Sequence, residues 1–157
     1  MKKILLILSL LISTIVIGLV MDRYSVTSIK ERAEQGFVLA QFNLGVMYDE
    51  GMGVTQDFGE ALKFYRKAAE QGYVDAQYNL GVMYDEGMGV KKDYIEALKW
   101  FSIVMTGGEM KNLERLEITE NLVKELTSKM TGAQISEAMR RARVDTNVKG
   151  QGYVNER

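Results

Sequence analysis

The stretch NLGVMYDEGMGV at residues 43–54 returns letter for letter at 79–90. The likeness extends on both sides. AEQGFVLAQFNLGVMYDEGMGVTQDFGEALKFY begins at Ala33, and AEQGYVDAQYNLGVMYDEGMGVKKDYIEALKWF begins at Ala69. The interval is 36 residues, and Gly36, Gly72 and Gly108 keep it. Self-similarity at a fixed interval of roughly 20–50 residues signals stacked supersecondary units, each burying its apolar face only against its neighbours.

Each unit carries two helical patterns. In the first, Ala40, Leu44, Met47 and Tyr48 recur at helical spacing, as do Ala76, Leu80, Met83 and Tyr84. Gly51 and Gly87 follow, where a helix end favours a residue that accepts left-handed dihedrals. The second pattern opens with Asp57-Phe58-Gly59-Glu60 and Asp93-Tyr94-Ile95-Glu96, an acid followed three residues later by glutamate, as in a capping box. Phe58, Ala61, Leu62, Tyr65, Ala68 and Ala69 then form an apolar stripe. Small residues stand where helices must approach closely: Gly45, Ala61 and Ala68, with Gly81 and Ala97 in the second copy. Tyr48, Phe64, Tyr84 and Trp100 fill the space between them and need no cofactor to explain them.

Composition removes several classes of function. The chain has 157 residues, 20 basic and 21 acidic, for a net charge of −1. That balance gives no electrostatic case for nucleic acid. Cysteine and histidine are absent, so there is no disulfide, no thiolate site and no imidazole base. Ser-His-Asp and Cys-His catalysis is therefore excluded. Asp49 with Glu50, and Asp85 with Glu86, are the acids a hydrolase would have to use. They precede a glycine turn with nothing apolar around them to raise a pKa. A calcium loop spreads its ligands over a longer segment than this corner. No metal, cofactor or enzymatic activity is expected.

The segment MKKILLILSLLISTIVIGLVMDRYS at 1–25 reads as an address. Lys2 and Lys3 precede an apolar run from Ile4 to Met21. The run is longer than the usual core of a cleaved signal and lacks an Ala-x-Ala site. It also reaches the length of a membrane span. Residues 1–21 are thus either a signal peptide or an N-terminal membrane anchor. In both cases the remainder is expected outside the cytoplasm, in the periplasm or facing it from the inner membrane, with secretion as the further alternative. Contact with the membrane is expected only through residues 4–21, if they are retained.

The repeated residues resemble the Sel-1-like repeat, a relative of the tetratricopeptide repeat. The pattern small-x-x-x-Leu-Gly-x-x-Tyr, Gly-x-Gly-Val, Asp, Ala with an aromatic pair, Lys-Ala-Ala and Gly is met throughout the first unit. Its positions are Ala40, Leu44, Gly45 and Tyr48, then Gly51, Gly53, Val54 and Asp57, then Ala61, Phe64, Tyr65, Lys67, Ala68, Ala69 and Gly72. The second unit departs at Ile103, Val104 and Met105, where Lys-Ala-Ala is expected, leaving open how the next helices dock. The resemblance covers 29–108 and implies an all-α superhelix, a right-handed solenoid of antiparallel helix pairs. It implies protein–protein interaction and no catalysis.

In that register the repeats span 37–72 and 73–108. Ile29 to Gly36 forms a half-repeat before them, since RAEQG at 32–36 echoes KAAEQG at 67–72. Residues 109–144 read as capping helices, the first through Leu113, Leu116, Leu122 and Leu126, the second opening at Thr131-Gly132-Ala133-Gln134. Arg140, Arg141 and Arg143 are expected near its end, and 145–157 as a flexible tail.

A candidate binding face follows from the helix period. With Leu44 at the centre of the buried side, Ala40 and Tyr48 fall within about 40° of it. Leu39, Phe42, Val46, Asp49 and Glu50 fall on the opposite side, as do Asp75, Tyr78, Val82, Asp85 and Glu86 in the second unit. The resemblance places first helices on the inner curve, which makes this face a groove. It suits a partner protein or peptide segment with an apolar anchor and a basic residue. Two functions compete: an interaction module of the cell envelope, and a dedicated inhibitor or immunity protein for an envelope or secretion-system partner. A hydrolase is the remote alternative.

Overall fold

The computed structural model describes residues 25–107 and 113–152. The apolar run at 4–21, Gly108 and the last five residues lie outside the described residues. Seven helices follow one another, with no strand among the described residues. They are α1 (Val26–Glu34), α2 (Val38–Glu50), α3 (Phe58–Glu70), α4 (Val74–Glu86), α5 (Tyr94–Thr106), α6 (Leu113–Ser128) and α7 (Gly132–Gly152). Each helix from α1 to α5 packs on the next, giving the pairs α2–α3 and α4–α5 of the two repeats, with α1 against the front of the first.

The close approach within each pair rests on glycine. A Cβ added at Gly45 would stand 2.6 Å from Cδ1 of Tyr65, and one at Gly81 would stand 2.5 Å from Cε1 of Phe101. The ring of each second helix thus lies directly on the backbone of the first. Ala61, Ala68 and Ala97 are fully buried at the same seams. Around them Tyr65, Leu80, Met83 and Phe101 join Leu126, Ala138 and Ala142 of the last two helices in one core. Ala33, Ala40, Leu44 and Phe64 form a second core at the front.

The corner after each first helix has two glycine positions with different tasks. Gly51 and Gly87 take left-handed dihedrals and close the helix. Gly89 lies against the preceding repeat: its φ is +67°, and a Cβ there would meet the Phe58 carbonyl oxygen at 2.3 Å. The repeated corner is therefore also the joint between units.

The expected capping boxes are only half formed at the second helices. Oδ1 of Asp57 accepts from the amides of Gly59 (2.9 Å) and Glu60 (3.0 Å), and Asp93 does the same for Ile95 and Glu96. The return arm is missing because the Asp57 and Asp93 amides already donate to the carbonyls of Tyr48 and Tyr84. Glu60 and Glu96 are released to pair with Lys63 and Lys99 instead. At α7 the box is complete: Gln134 Oε1 accepts from the Thr131 amide, and the Gln134 amide donates to Thr131 Oγ1.

Two buried glutamines escaped the sequence reading. Nε2 of Gln41 donates to the Ala33 carbonyl (3.1 Å), and Nε2 of Gln77 to the Ala69 carbonyl (3.2 Å). Each gives a second donor to a carbonyl in the last turn of the preceding helix, which also accepts from the amide of Gly36 or Gly72.

At the far end, α6 and α7 each pack on α5 and not chiefly on one another, so they do not reproduce a repeat hairpin. Ile103 and Val104, which break the repeat pattern, are buried where α5 receives this cap. The helix α7 runs on to Gly152, past the start of the expected tail at 145. Arg140, Arg141 and Arg143 consequently lie within the helix, not at its end. Arg141 bonds Glu137 and Glu96 of α5, and Asp145 pairs with Lys99 at 3.2 Å. These ties to α5 explain why helix continues through a polar sequence.

Candidate partner-binding face

The ten candidate residues all lie on α2 and α4, but they divide between two orientations. Leu39 and Glu50 are exposed, with Val46 partly so. Phe42 instead leans toward the next unit, its ring 5.8 Å from Tyr65 and 4.7 Å from Tyr73. Asp49 leans the same way and accepts from the Tyr65 hydroxyl at 3.1 Å. Burial on two sides is the cause: α2 packs on α3 while its edge also meets the start of the second repeat. The open stripe is therefore Leu39, Asn43, Val46 and Glu50, rotated by about 50° from the point opposite Leu44. Asn43, which the periodicity argument passed over, is exposed along one edge of it.

In α4 the same positions are Asp75, Asn79, Val82 and Glu86. Asp75 pairs with Arg115 of α6, whose guanidinium also lies 5.0 Å from the ring centre of Tyr78. Tyr78 rests on Phe101 behind, at 5.8 Å. The second-repeat end of the face is thus lined by α6 as well.

The two acid pairs differ. Tyr65 gives Asp49 a hydroxyl donor, whereas Phe101, one interval later, has none to give Asp85. Burial, and next the charge of Asp49, push the Tyr65 phenol well above its ordinary range. It remains a neutral donor. Asn79 of the following repeat approaches the same hydroxyl, so this phenol links α2, α3 and α4.

Charge separates the two kinds of helix. First helices α2 and α4 carry Asp49, Glu50, Asp75, Asp85 and Glu86 and no basic residue. The second helix α3 carries Lys63, Arg66 and Lys67, of which Arg66 bonds the Tyr84 hydroxyl. Among the described residues no cluster of three or more acids is arranged to hold a metal ion. No helix among them is long and apolar enough to cross a membrane.

Comparison with known proteins agrees with this architecture. Residues 38–73 and 74–103 match the family model of the Sel1 repeat. A solved structure of a protective antigen present in uropathogenic Escherichia coli strains, displaying an SLR fold, is 33% identical with a TM-score of 0.68 over 76% of this chain. A Sel1 repeat protein from Oxalobacter formigenes is 44% identical, with a TM-score of 0.50 over 52% of this chain. The chain spans 24% of the first protein and 33% of the second. No curated protein matches it. The chain thus carries two Sel1 repeats within an all-α solenoid similar to the SLR fold. Sel1 repeat proteins are in general protein–protein interaction modules, and the fold is typically a scaffold without catalysis.

Proposed function

We propose that the chain is an exported interaction module of the cell envelope. Its outward stripes on α2 and α4 capture a protein segment that carries basic residues and an apolar anchor. The supporting observation is the charge of these two helices: five carboxylates and no base, alongside Leu39, Val46 and Val82. Opposite charge on the partner would speed encounter and fix its orientation, while apolar contact supplies affinity. Export rests on Lys2, Lys3 and the apolar run to Met21.

Two experiments test the two halves. A fusion of residues 1–30 to alkaline phosphatase should be active in cells, and an inactive fusion removes the export half. Crosslinking in intact envelopes should yield a specific adduct that disappears when Leu39 and Val46 are changed to serine and Glu50 and Glu86 to lysine. An adduct that survives those four changes places the partner elsewhere.

A further inference from the structure

One flank of α5 differs from the matching flank of α3. Gly59 and Arg66 of α3 are replaced, one interval later, by Ile95 and Ser102, while Leu62 is kept as Leu98. These positions recur at helical spacing and so share a face. The same face carries one ion pair in both helices, Lys63 with Glu60 and Lys99 with Glu96. On α3 the lysine side chain is 51% exposed, and on α5 it is 10% exposed. The cause is α7. Its Ile135, Ala138, Met139 and Ala142 share the main core with Ile95 and Leu98. The Ser102 hydroxyl donates to the Met139 sulfur at 3.4 Å. The second repeat thus carries a seat where the first has a solvent-facing flank.

The seat alone holds α7. Its outward ion pairs run from Arg141 to Glu96 (2.7 Å) and from Asp145 to Lys99 (3.2 Å), both on α5. The helices α6 and α7 do not pack chiefly on one another. Ser128 ends α6 and Gly132 begins α7, so three residues, Lys129 to Thr131, join them. A second copy of the chain presents the same Ala138, Met139, Arg141 and Asp145. Exchanging α7 between two chains therefore keeps every contact of the seat and alters only the hinge. Exchange of an identical element is a low-cost route to a dimer, and short hinge loops invite it.

We propose that α7 is an exchangeable latch: two copies of the chain form a dimer in which the α7 of each occupies the seat on α5 of the other. The surface is the flank of Ile95, Leu98, Lys99 and Ser102, and the partner is a second copy. Nothing in this depends on what the outward stripes of α2 and α4 bind.

A chain's own α7 competes for the seat at the effective concentration of a short tether, about 1 mM. Exchange therefore needs an opened latch and crowded chains. The full-length variant Ser102→Cys with Met139→Cys is kept in a non-ionic detergent, because of the apolar run at 4–21. It is held at about pH 2, where the carboxylates of the latch lose their charge, and returned to neutral pH. The parent chain has no cysteine, so a short bis-thiosulfonate reagent then bridges these two positions and no others. At about 1 mM chain the bridge should join two chains and give a covalent dimer on a denaturing gel. At a concentration about a hundredfold lower it should close within one chain. A Gly-Ser-Gly-Ser insertion between Met130 and Thr131 relaxes the hinge and should lower the dimer yield about fivefold. Light scattering of the unsubstituted chain after the same pulse should show the same concentration-dependent dimer, whether or not the cysteine variant folds. The proposal is overturned if the unsubstituted chain stays monomeric at both concentrations. It is equally overturned if a dimer forms while the bridge stays within one chain, or if the insertion leaves the yield unchanged.

Discussion

The hydroxyl of Tyr65 donates to the carboxylate of Asp49 at 3.1 Å, joining the second helix of the first repeat to the last turn of its first helix. Phe101 in the second repeat makes the same ring contact with a glycine but carries no hydroxyl. Tyr65→Phe should therefore cost about 1.5 kcal/mol, the lower end for a hydrogen bond to a charged group. Urea unfolding followed by circular dichroism measures it. A midpoint unchanged from the parent would show that the bond is fully exchanged for water.

Gly81→Ala puts a methyl group 2.5 Å from the Phe101 ring, inside the core shared by both repeats and the cap. Either the ring or the helix must shift, and overpacking of this kind costs roughly 1–3 kcal/mol. Gly45→Ala should behave alike against Tyr65, at 2.6 Å. Thermal unfolding of the two variants should show lowered midpoints with helix content retained at 20 °C or so.

Gly89→Ala is a different kind of defect. The backbone there has φ +67°, and the obstacle is the Phe58 carbonyl of the preceding unit, which cannot rotate away as a side chain can. Left-handed strain alone costs roughly 1–3 kcal/mol. The joint between repeats should open before either repeat melts. Amide exchange should rise first at Tyr73, which donates to the Ala68 carbonyl across this joint, and at Asp93, which donates to the Tyr84 carbonyl at the corner.

The attachment of α7 should fail in acid. Burial pushes the Glu96 carboxyl up, but its bonds to Lys99 and Arg141 together outweigh that and hold it below its ordinary value. Bonds from Arg140 and Arg141 bring Glu137 to about 2. Both carboxyls bind protons more readily in the unfolded chain, so the stabilisation is complete above the ordinary carboxylate range. It is lost as pH falls from there toward about 2. Glu96→Gln, which removes the acid shared by Lys99 and Arg141, should lower the midpoint at neutral pH and flatten this acid dependence. An acid profile identical to the parent would show that the network does not hold the cap.

Much of this architecture could be read from spacing. The interval of 36 fixed which residues are equivalent, and the glycines marked both helix ends and close approaches. Leu44, Leu80 and Tyr65 were recognisable as core because a stripe at helical spacing has one side to bury. What spacing could not show was the width of the buried side. Phe42 and Asp49 turned inward because the next repeat adds a second packing surface, and that rotation brought Asn43 into the open stripe. Gln41 and Gln77 looked like surface residues, and only the carbonyls of Ala33 and Ala69 give them a reason to be buried. The extent of α7 was hidden for a similar cause: Asp145 belongs to a helix because Lys99, distant in sequence, draws it there.

Those buried glutamines make the joint portable. Gln41 and Gln77 use one side-chain amide and one main-chain oxygen, groups present at every turn of the interval, so nothing in the joint depends on which unit comes before. A tandem duplication of residues 37–72 would bring its own glutamine to the Ala69 oxygen, and its Phe37 to the place where Tyr73 now covers Phe42. Phe37 is 52% exposed at the front of the present stack, and its copy would be covered as Tyr73 is, without any change of sequence. The gene for such a chain can lengthen by copying alone, and the face would lengthen with it by one asparagine, one valine and one acid at a time.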